Sequence, residues 1–179
     1  MPSPAPTLTT ARLTLAPHAI TDLDELLAMW AEPVVHRHIG GRAFAREEVW
    51  QRLLRYIGHW HALGWGNWAI RETASGRWVG DAGFMDARRD IQPPLPAIPE
   101  VGWVLSGWAH GRGFAQEALA AIFAWGDAHD LGDTGCIIDP ANAASVRVAE
   151  RMGYHRELGA DYHGKRIDFY RRKPLAGRG

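Results

Sequence analysis

The sequence predicts an α/β domain in which a central mixed sheet is covered by helices on both faces. Three observations lead to this class. Apolar residues follow strand and helix spacings in the order strand, two helices, three strands, helix, strand, helix, and then one or two strands. No internal repeat and no second composition regime interrupts this order. The length of 179 residues suits one domain that can bury a core of its own.

The first part of the chain predicts one strand and two helices. Residues 12–15 alternate polar and apolar side chains, which is typical of a half-buried strand. Asp22 is a suitable cap for a helix whose apolar residues follow at helical spacing. A second amphipathic helix is predicted over 46–61, and Gly64 ends it.

The rest of the chain predicts a hairpin followed by alternating strands and helices. Residues 68–70 and 78–85 form its two strands, joined by a turn at Ser75 and Gly76. If the strands before and after the next long helix are parallel, this unit is a right-handed crossover. The remaining predicted elements are a proline-rich loop at 87–98, a strand at 100–105, a helix at 112–129, a strand at 136–138, a helix at 142–152 and a last strand at 166–171.

The composition argues against several classes of protein. Lysine plus arginine equals aspartate plus glutamate, at 20 each, so no overall charge attracts nucleic acid or an anionic membrane. No apolar run reaches the length of about 18 residues that a membrane span needs. Residues 1–10 lack the features of a signal peptide, and the single Cys136 fits a reducing compartment, so we expect a cytoplasmic protein. We expect a loose lead-in at 1–10, a domain over 11–174 and a loose end at 175–179.

A glycine-containing junction before the long helix is the first candidate binding site. Gly111 and Gly113 allow the backbone to approach a ligand closely, and the first amides of a helix have no partner within it. These amides and the helix dipole favour an anion, and Arg112 adds a positive charge. The pattern indicates a pyrophosphate site. A glycine-eased turn whose helix is capped by water is the alternative.

Three other positions have two interpretations each. Asn142 and Ser145, at the start of the next helix, either reach a ligand held between two parallel strand ends or simply cap the helix. Glu100, at the start of a strand that is otherwise buried, is either a general base or a solvated charge at a strand edge.

Together these features resemble the GCN5-related N-acetyltransferase (GNAT) superfamily, and within it the branch of RimJ- and RimL-type ribosomal-protein N-terminal acetyltransferases. Trp108 departs from the family's pyrophosphate motif, which usually has glutamine or arginine there, and this removes one polar contact to the cofactor. The resemblance covers nearly the whole chain and includes TARLTL, GWGNWAIRETASGRWVGDAGF, PEVGWVL, WAHGRGFAQEAL and NAASVRVAERMGY.

The resemblance implies a mostly antiparallel sheet with one splayed parallel strand pair, and acetyl-CoA bound in the split. It implies that backbone groups near Val104, Leu105 and Ser106 pair with the pantetheine arm, and that one of these amides polarises the thioester carbonyl. The residues implied to hold the pyrophosphate and the arm are Gly111, Arg112, Gly113, Phe114, Ala115, Asn142 and Ser145.

Acetyl transfer to an amine requires a neutral nitrogen, and an alkyl amine is mostly protonated at pH 7. Glu100 is the candidate that takes the proton, directly or through a water molecule. The sequence assigns no general acid to the leaving thiolate, which departs as such or is protonated by water.

The acceptor side offers aromatic residues and histidines. The family resemblance places the acceptor pocket near Trp30, His36, His38 and Trp65, whose rings could hold a cation or a flat apolar group. Core packing is the alternative for most of them. The 87–98 loop either covers this pocket or is an idle surface excursion. Two histidines without a nearby carboxylate or cysteine pattern predict no metal site.

We therefore expect an enzyme that transfers acetyl from acetyl-CoA to a primary amine by direct attack. The acceptor is a small molecule or a protein N-terminus. A non-catalytic module that binds acyl-CoA for sensing or scaffolding is the alternative. We expect no nucleic-acid or membrane partner, and the nine tryptophans permit a homodimer without requiring one.

Overall fold

Eight strands form one sheet in the computed structural model, which describes residues 5–174. Their order in the sheet is β1-β2-β3-β4-β5-β6-β8-β7, and all neighbours are antiparallel except β5 and β6. The predicted mixed, mostly antiparallel sheet is confirmed. The strands are β1 (Leu8–Thr9), β2 (Leu13–Pro17), β3 (Asn67–Glu72), β4 (Trp78–Met85), β5 (Glu100–Leu105), β6 (Thr134–Ile138), β7 (His155–Tyr162) and β8 (Lys165–Arg172).

The parallel pair of strands β5 and β6 is joined at one end only. Their single pairing position places Glu100 beside Gly135, and the Gly135 N–H donates to the Pro99 carbonyl at 2.9 Å. Beyond this position the two strands separate, so a gap opens in the sheet along the β5 edge. This is the splayed parallel pair that the family resemblance implies.

Helices cover both faces of the sheet, as predicted. One face carries α4 and α5, which pack in a cluster with Trp68 of β3. The other carries α1, α2 and α3, which pack in a second cluster with Ala69. Because successive residues of a strand point to opposite faces, Trp68 and Ala69 place the two clusters on opposite sides. The helices are α1 (Leu23–Ala31), α2 (Pro33–His36), α3 (Arg46–Leu63), α4 (Phe114–Ala128) and α5 (Ala143–Arg151).

The start of α1 differs from the prediction that Asp22 caps it. The Asp22 side chain accepts no capping hydrogen bond from α1. Its Oδ2 instead accepts from the Ala19 N–H at 2.8 Å, in the turn before the helix, and its Oδ1 accepts from Arg71 of β3 at 3.1 Å. A distant arginine and a preceding amide therefore use both oxygens. The end of α3 at Gly64 agrees with the prediction, and this residue has φ +77°.

The N-terminal segment also differs from the predicted loose lead-in at 1–10. Leu8 and Thr9 pair with β2 as strand β1, and Ala5 is buried. The Trp68 indole Nε1–H donates to the Pro6 carbonyl at 2.8 Å. Apolar burial and this indole bond hold the segment, neither of which its proline-rich composition indicates. Residues 1–4, and the predicted loose end at 175–179, lie outside the described residues.

The 87–98 loop is fixed against the β7–β8 hairpin. Ile91 is buried with Ala160 and Ile167. Gln92 and Asp161 exchange two backbone hydrogen bonds, at 3.1 and 2.8 Å. The alternative of an idle surface excursion is therefore wrong for this loop.

Three tryptophans form the centre of the larger apolar cluster. The ring centroids of Trp60 and Trp68 lie 4.7 Å apart, and Trp125 lies 5.3 Å from each, all in edge-to-face arrangements that favour aromatic pairs. Much of the tryptophan content thus serves packing. Among residues 5–174, no helix combines the length and apolar character needed to cross a bilayer.

Candidate active site

Two cavities meet along the β5 edge at the gap in the sheet. The larger cavity, about 630 Å³, extends from β5 to the starts of α4 and α5. The smaller cavity, about 260 Å³, extends from β5 towards α3, β4, β8 and the 87–98 loop. Two ligands could therefore meet at the boundary. The residues that line both cavities are Arg37, His38, Ile39, Trp103, Val104, Asn142 and Ser145.

The backbone of β5 presents polar groups to this gap. The Ser106 N–H donates to the Val79 carbonyl in β4 at 2.9 Å. In an antiparallel ladder, alternate residues direct their N–H and C=O groups to the same side. The backbone groups of Trp103 and Leu105 therefore point away from β4 and into the gap. Val104 and Leu105, both predicted site residues, line the larger cavity.

Ser106 does not line either cavity, although the sequence placed it with the cofactor. The fold uses both of its backbone groups, because its N–H donates to Val79 and its carbonyl accepts from the Ala109 N–H at 2.9 Å. The turn at Gly107–Ala109 that creates this second bond carries no clear sequence signal.

The start of α4 supplies the predicted amide site. Gly111 and Gly113 have φ of +71° and +77°, a region that glycine enters without a Cβ clash. The first intrahelical bond runs from the Glu117 N–H to the Gly113 carbonyl at 3.1 Å, so the preceding amides lack helical partners. Phe114 and Ala115 carry such amides, and both line the larger cavity with the two glycines.

The charges around the larger cavity suit an anion. Among the described residues, its lining contains Arg37, Arg147 and Arg151 and no carboxylate. The two arginines of α5 lie one helical turn apart on the side that faces the cavity. An anionic group at the α4 amides would therefore lie in a positive field.

Arg112 is not part of this lining, and its role at the pyrophosphate stays a prediction. Its guanidinium lies 5.1 Å from the Trp108 ring centroid and 4.8 Å from that of Phe114, and it pairs with Glu72 at 3.5 Å. Trp108 itself donates from Nε1 to the Trp78 carbonyl at 2.9 Å. Contacts with two aromatic rings and an ion pair with Glu72 of β3 hold the guanidinium away from the larger cavity.

The start of α5 reconciles the two interpretations of Asn142 and Ser145. The Asn142 Oδ1 accepts from the Ser145 N–H at 3.1 Å, which is an ordinary N-cap. Both residues also line both cavities. The cap thus fixes two polar side chains at the boundary where two ligands could meet.

Glu100 lines the smaller cavity, where it forms an ion pair. Arg89 of the 87–98 loop donates to both of its carboxylate oxygens, at 2.8 Å from Nε to Oε2 and 2.8 Å from Nη2 to Oε1. The same arginine donates to the Tyr162 hydroxyl at 3.2 Å. One guanidinium therefore occupies both oxygens of this carboxylate.

A second carboxylate, Asp81 of β4, lines the same cavity and was not predicted. Asp81 and Asn67 are each only 2% exposed, and the Asn67 Nδ2 donates to the Asp81 Oδ1 at 3.2 Å. Within residues 5–174, neither the Asp81 Oδ2 nor the Asn67 Oδ1 has a hydrogen-bond partner. Both residues line the same small cavity, and each carries one buried acceptor atom without a partner.

Burial changes the acid–base properties of two groups here. Desolvation raises the pKa of the Asp81 carboxyl, although His18, the arginines of α3 and hydrogen bonding with the Tyr56 hydroxyl oppose the shift. Desolvation also raises the pKa of the Tyr56 hydroxyl, and the negative charge of Asp81 adds to this effect. Asp81 is therefore a stronger base than an exposed aspartate.

The four predicted acceptor residues separate into two groups. Trp30 and His38 line the smaller cavity, and the His38 Nδ1 lies 3.2 Å from the Asp139 Oδ2. His36 and Trp65 line neither cavity, and Trp65 packs against the larger apolar cluster instead. Among the described residues, no three histidine, cysteine, aspartate or glutamate side chains are grouped to hold a metal ion.

The residues that the sequence analysis missed come from separate parts of the chain. Asp81 carried the clearest signal, because it is the only charged residue in the strand WVGDAGFM. Asn67 and Arg89 gave none, since a polar residue at a strand start or in a loop is ordinary. Their roles depend on tertiary contacts with Asp81 and Glu100.

Comparisons with known proteins agree with this geometry. A family model described as an acetyltransferase (GNAT) domain matches residues 12–155, well over half of the chain. A solved Bordetella pertussis protein assigned to the GNAT acetyltransferase family is 30% identical, with a TM-score of 0.81 over 93% of this chain and 98% of its own.

Two other relatives extend the comparison. The uncharacterized protein YkkB of Bacillus subtilis (strain 168) is 31% identical over 107 residues, which span 59% of this chain and 60% of that protein. RimL, a ribosomal L7/L12 α-N-protein acetyltransferase solved in complex with coenzyme A, has the same fold at 16% identity, with a TM-score of 0.74 over 94% of this chain and 98% of its own. The matching family model and the shared fold together show that the chain belongs to the GNAT family and is an N-acetyltransferase.

Proposed function

We propose that the chain transfers the acetyl group of acetyl-CoA to a primary amine by direct attack of the amine on the thioester. The observation that carries the proposal is the meeting of two chemically different cavities at Val104, Asn142 and Ser145. Among the described residues, the lining of the larger contains arginines, helix amides and no carboxylate. The lining of the smaller contains carboxylates, one of them the buried Asp81, together with arginines and a lysine. A long anionic thioester and a small amine could therefore meet beside β5.

The larger cavity fits acetyl-CoA in three ways. The α4 amides at Gly113, Phe114 and Ala115 suit the pyrophosphate, and the arginines of the lining add positive charge. The exposed edge of β5 suits the amides of the pantetheine arm, which would add to the sheet as an extra strand. RimL, which shares this fold, was solved with coenzyme A.

The reaction needs little from the protein beyond placement, charge stabilisation and one proton acceptor. Acetyl-CoA supplies an acetyl group that is already activated as a thioester. The amides of Trp103 and Leu105 face the gap, where one of them can donate to the thioester oxygen as negative charge develops. The amine nitrogen forms the new C–N bond, the C–S bond breaks, and a carboxylate of the smaller cavity accepts a proton.

The smaller cavity favours a slender acceptor. Its volume of about 260 Å³ lies below the range of roughly 300–1,000 Å³ of most small-molecule pockets. A small amine and the first residue of a flexible N-terminus both satisfy this limit. Both acceptor classes therefore belong in the test.

A thiol-release assay with acetyl-CoA tests the proposal. The acceptor panel contains small primary amines, amino-acid amides and peptides with different N-termini, and mass spectrometry identifies the product. We expect turnover with at least one class and one thiol released for each acetylated amine. Calorimetric binding of acetyl-CoA without turnover on any class would instead favour a non-catalytic acyl-CoA-binding module. Absence of binding would contradict both functions.

A further inference from the structure

Two buried oxygen atoms in the smaller cavity are arranged to receive hydrogen-bond donors. They are the Asp81 Oδ2 and the Asn67 Oδ1, and neither has a partner within residues 5–174. Buried polar atoms in folded proteins usually have hydrogen-bond partners, so two such acceptors at one cavity point to a donor that a ligand could supply. A primary ammonium carries three N–H donors and no acceptor, which complements these two acceptors.

Asp81 also lies at the right end of the cavity for chemistry. It pairs across the β4–β5 ladder with Val104, which lines both cavities. Directly opposed residues that exchange backbone hydrogen bonds have Cα atoms roughly 5.5 Å apart, with their side chains on the same face. The Asp81 carboxylate is therefore next to the position where the two ligands would meet.

Glu100 lies at the other end. It pairs with Met85, four residues beyond Asp81 on β4, which places the two carboxylate-bearing residues roughly 14 Å apart along the sheet. Its two oxygens are held by Arg89. Glu100 therefore lies farther than Asp81 from the position where the two ligands would meet, and both of its oxygens already accept hydrogen bonds.

We propose that Asp81 and Asn67 receive the amino group of the acceptor, and that Asp81, rather than Glu100, takes the proton that the ammonium must lose. This inference rests on the proposed acetyl transfer and names its base and its amine-recognition pair. Asp81 takes one proton from the ammonium, and the lone pair so released forms the C–N bond. As the C–S bond breaks, the second surplus proton on nitrogen passes to the departing thiolate. Asp81 then releases its proton to solvent.

The surroundings of Asp81 support this role. Desolvation raises the pKa of the Asp81 carboxyl, which brings its proton affinity closer to that needed of a general base. The ionisable groups that act on it are His18, which follows β2, and Arg52, Arg55 and Tyr56 of α3. The hydrogen bond from Asn67 of β3 fixes one carboxylate oxygen and leaves the other to the acceptor.

The test compares Asp81→Asn with Glu100→Gln. The matched control is Asp168→Asn, which changes another buried aspartate of the sheet that lines neither cavity. With an accepted amine, Asp81→Asn should lower kcat about 10²- to 10⁴-fold and leave the calorimetric affinity for acetyl-CoA unchanged. Glu100→Gln should reduce kcat much less, and Asp168→Asn should keep the wild-type pH profile.

Two readouts separate a base from a merely structural residue. The residual rate of Asp81→Asn should rise with pH, because solvent then supplies the neutral amine. Its deficit should also shrink with less basic amines, which need no deprotonation. A deficit that is constant over pH and over amine basicity would overturn the assignment, as would full activity of Asp81→Asn beside an inactive Glu100→Gln.

The outcomes also distinguish this inference from the proposed function. Wild-type protein that acetylates no amine contradicts the function, whereas active wild-type protein with active Asp81→Asn contradicts only the base assignment. If Asp81→Asn does not fold, Asn67→Ala tests the recognition pair. It should raise KM for the amine about tenfold without changing acetyl-CoA affinity. An unchanged KM would overturn the proposal.

Discussion

The two cavities share one strand but are built from different kinds of group. The larger cavity is formed mainly by backbone, namely the β5 edge and the α4 amides after Gly111 and Gly113. The smaller cavity depends on side chains from separate segments, among them Asp81, Asn67 and Glu100. The difference shows why one site can be found from a short local motif and the other requires the assembled fold.

The largest expected effect concerns the backbone-built cavity. Gly113→Val places a β-branched residue at φ +77°, and it can relieve the strain only by turning the peptides that carry the α4 amides. We expect acetyl-CoA affinity to fall about 30-fold, or ~2 kcal/mol, in calorimetry. Gly76→Val is the matched control, because Gly76 has φ +70° in the hairpin turn, away from both cavities. Equal affinity losses in both variants would contradict the role of these amides.

The next prediction concerns the stability effect of a residue of the smaller cavity. Burial raises the pKa of the Asp81 carboxyl, so its favourable contribution is present below the unfolded-state pKa and is lost as pH rises through the folded-state pKa. At pH 7, Asp81→Asn should therefore raise the free energy of unfolding, by about 1–3 kcal/mol, because a neutral amide is less costly to bury than a carboxylate. Urea unfolding at several pH values measures this change.

Replacement of Asp168 should change the free energy of unfolding in the opposite direction in the same experiment. Its hydrogen bond from Arg156 lowers the pKa of the Asp168 carboxyl, so its contribution is present above the unfolded-state pKa and is lost as pH falls through the folded-state pKa. Asp168→Asn should lower the free energy of unfolding at pH 7 by about 1 kcal/mol or less, because Arg156 is partly exposed. A stability gain in this variant, or a loss in Asp81→Asn, would contradict the comparison.

A further effect of similar size is expected at the boundary between the cavities. Asn142→Ala removes the α5 cap and should lower the free energy of unfolding by about 1 kcal/mol. Asn142→Asp keeps a capping oxygen, so thermal unfolding should change little, but it adds a negative charge where an anionic ligand is expected. Acetyl-CoA affinity in Asn142→Asp should therefore fall several-fold. Unchanged acetyl-CoA affinity in this variant would mean that Asn142 acts only as a helix cap.

The sequence predicted the sheet, the helices and the backbone-built cavity because their signals are local. Gly111 and Gly113 indicate the start of α4 to within a few residues, and periodic apolar side chains indicate the helices. It did not predict that Arg112 turns onto Trp108 and Phe114, or that the Ser106 backbone is used by the fold. These outcomes depend on neighbours that are distant or conformationally unmarked in the sequence.

The difference between local and tertiary signals also explains why the sequence indicates Glu100 and the structure indicates Asp81 as the candidate base. Glu100 was selected because it begins a buried strand, and the sequence could not show that Arg89 reaches it from a loop. Asp81 was passed over although it is the only charge in its strand, since one acidic residue in an apolar run does not say whether it is paired. The hydrogen-bond partners of each carboxylate depend on tertiary contacts, which the sequence does not show.

The attachment of the 87–98 loop has a consequence for how acceptor choice can evolve. Ile91 and Gln92 hold this loop against the β7–β8 hairpin. Among the loop residues, Arg89 lines the smaller cavity, and none lines the larger cavity. Under the proposed function, substitutions here would change the lining of the acceptor cavity without changing that of the acetyl-CoA cavity. Sequence changes in this one anchored segment would then alter acceptor specificity while acetyl-CoA binding is retained.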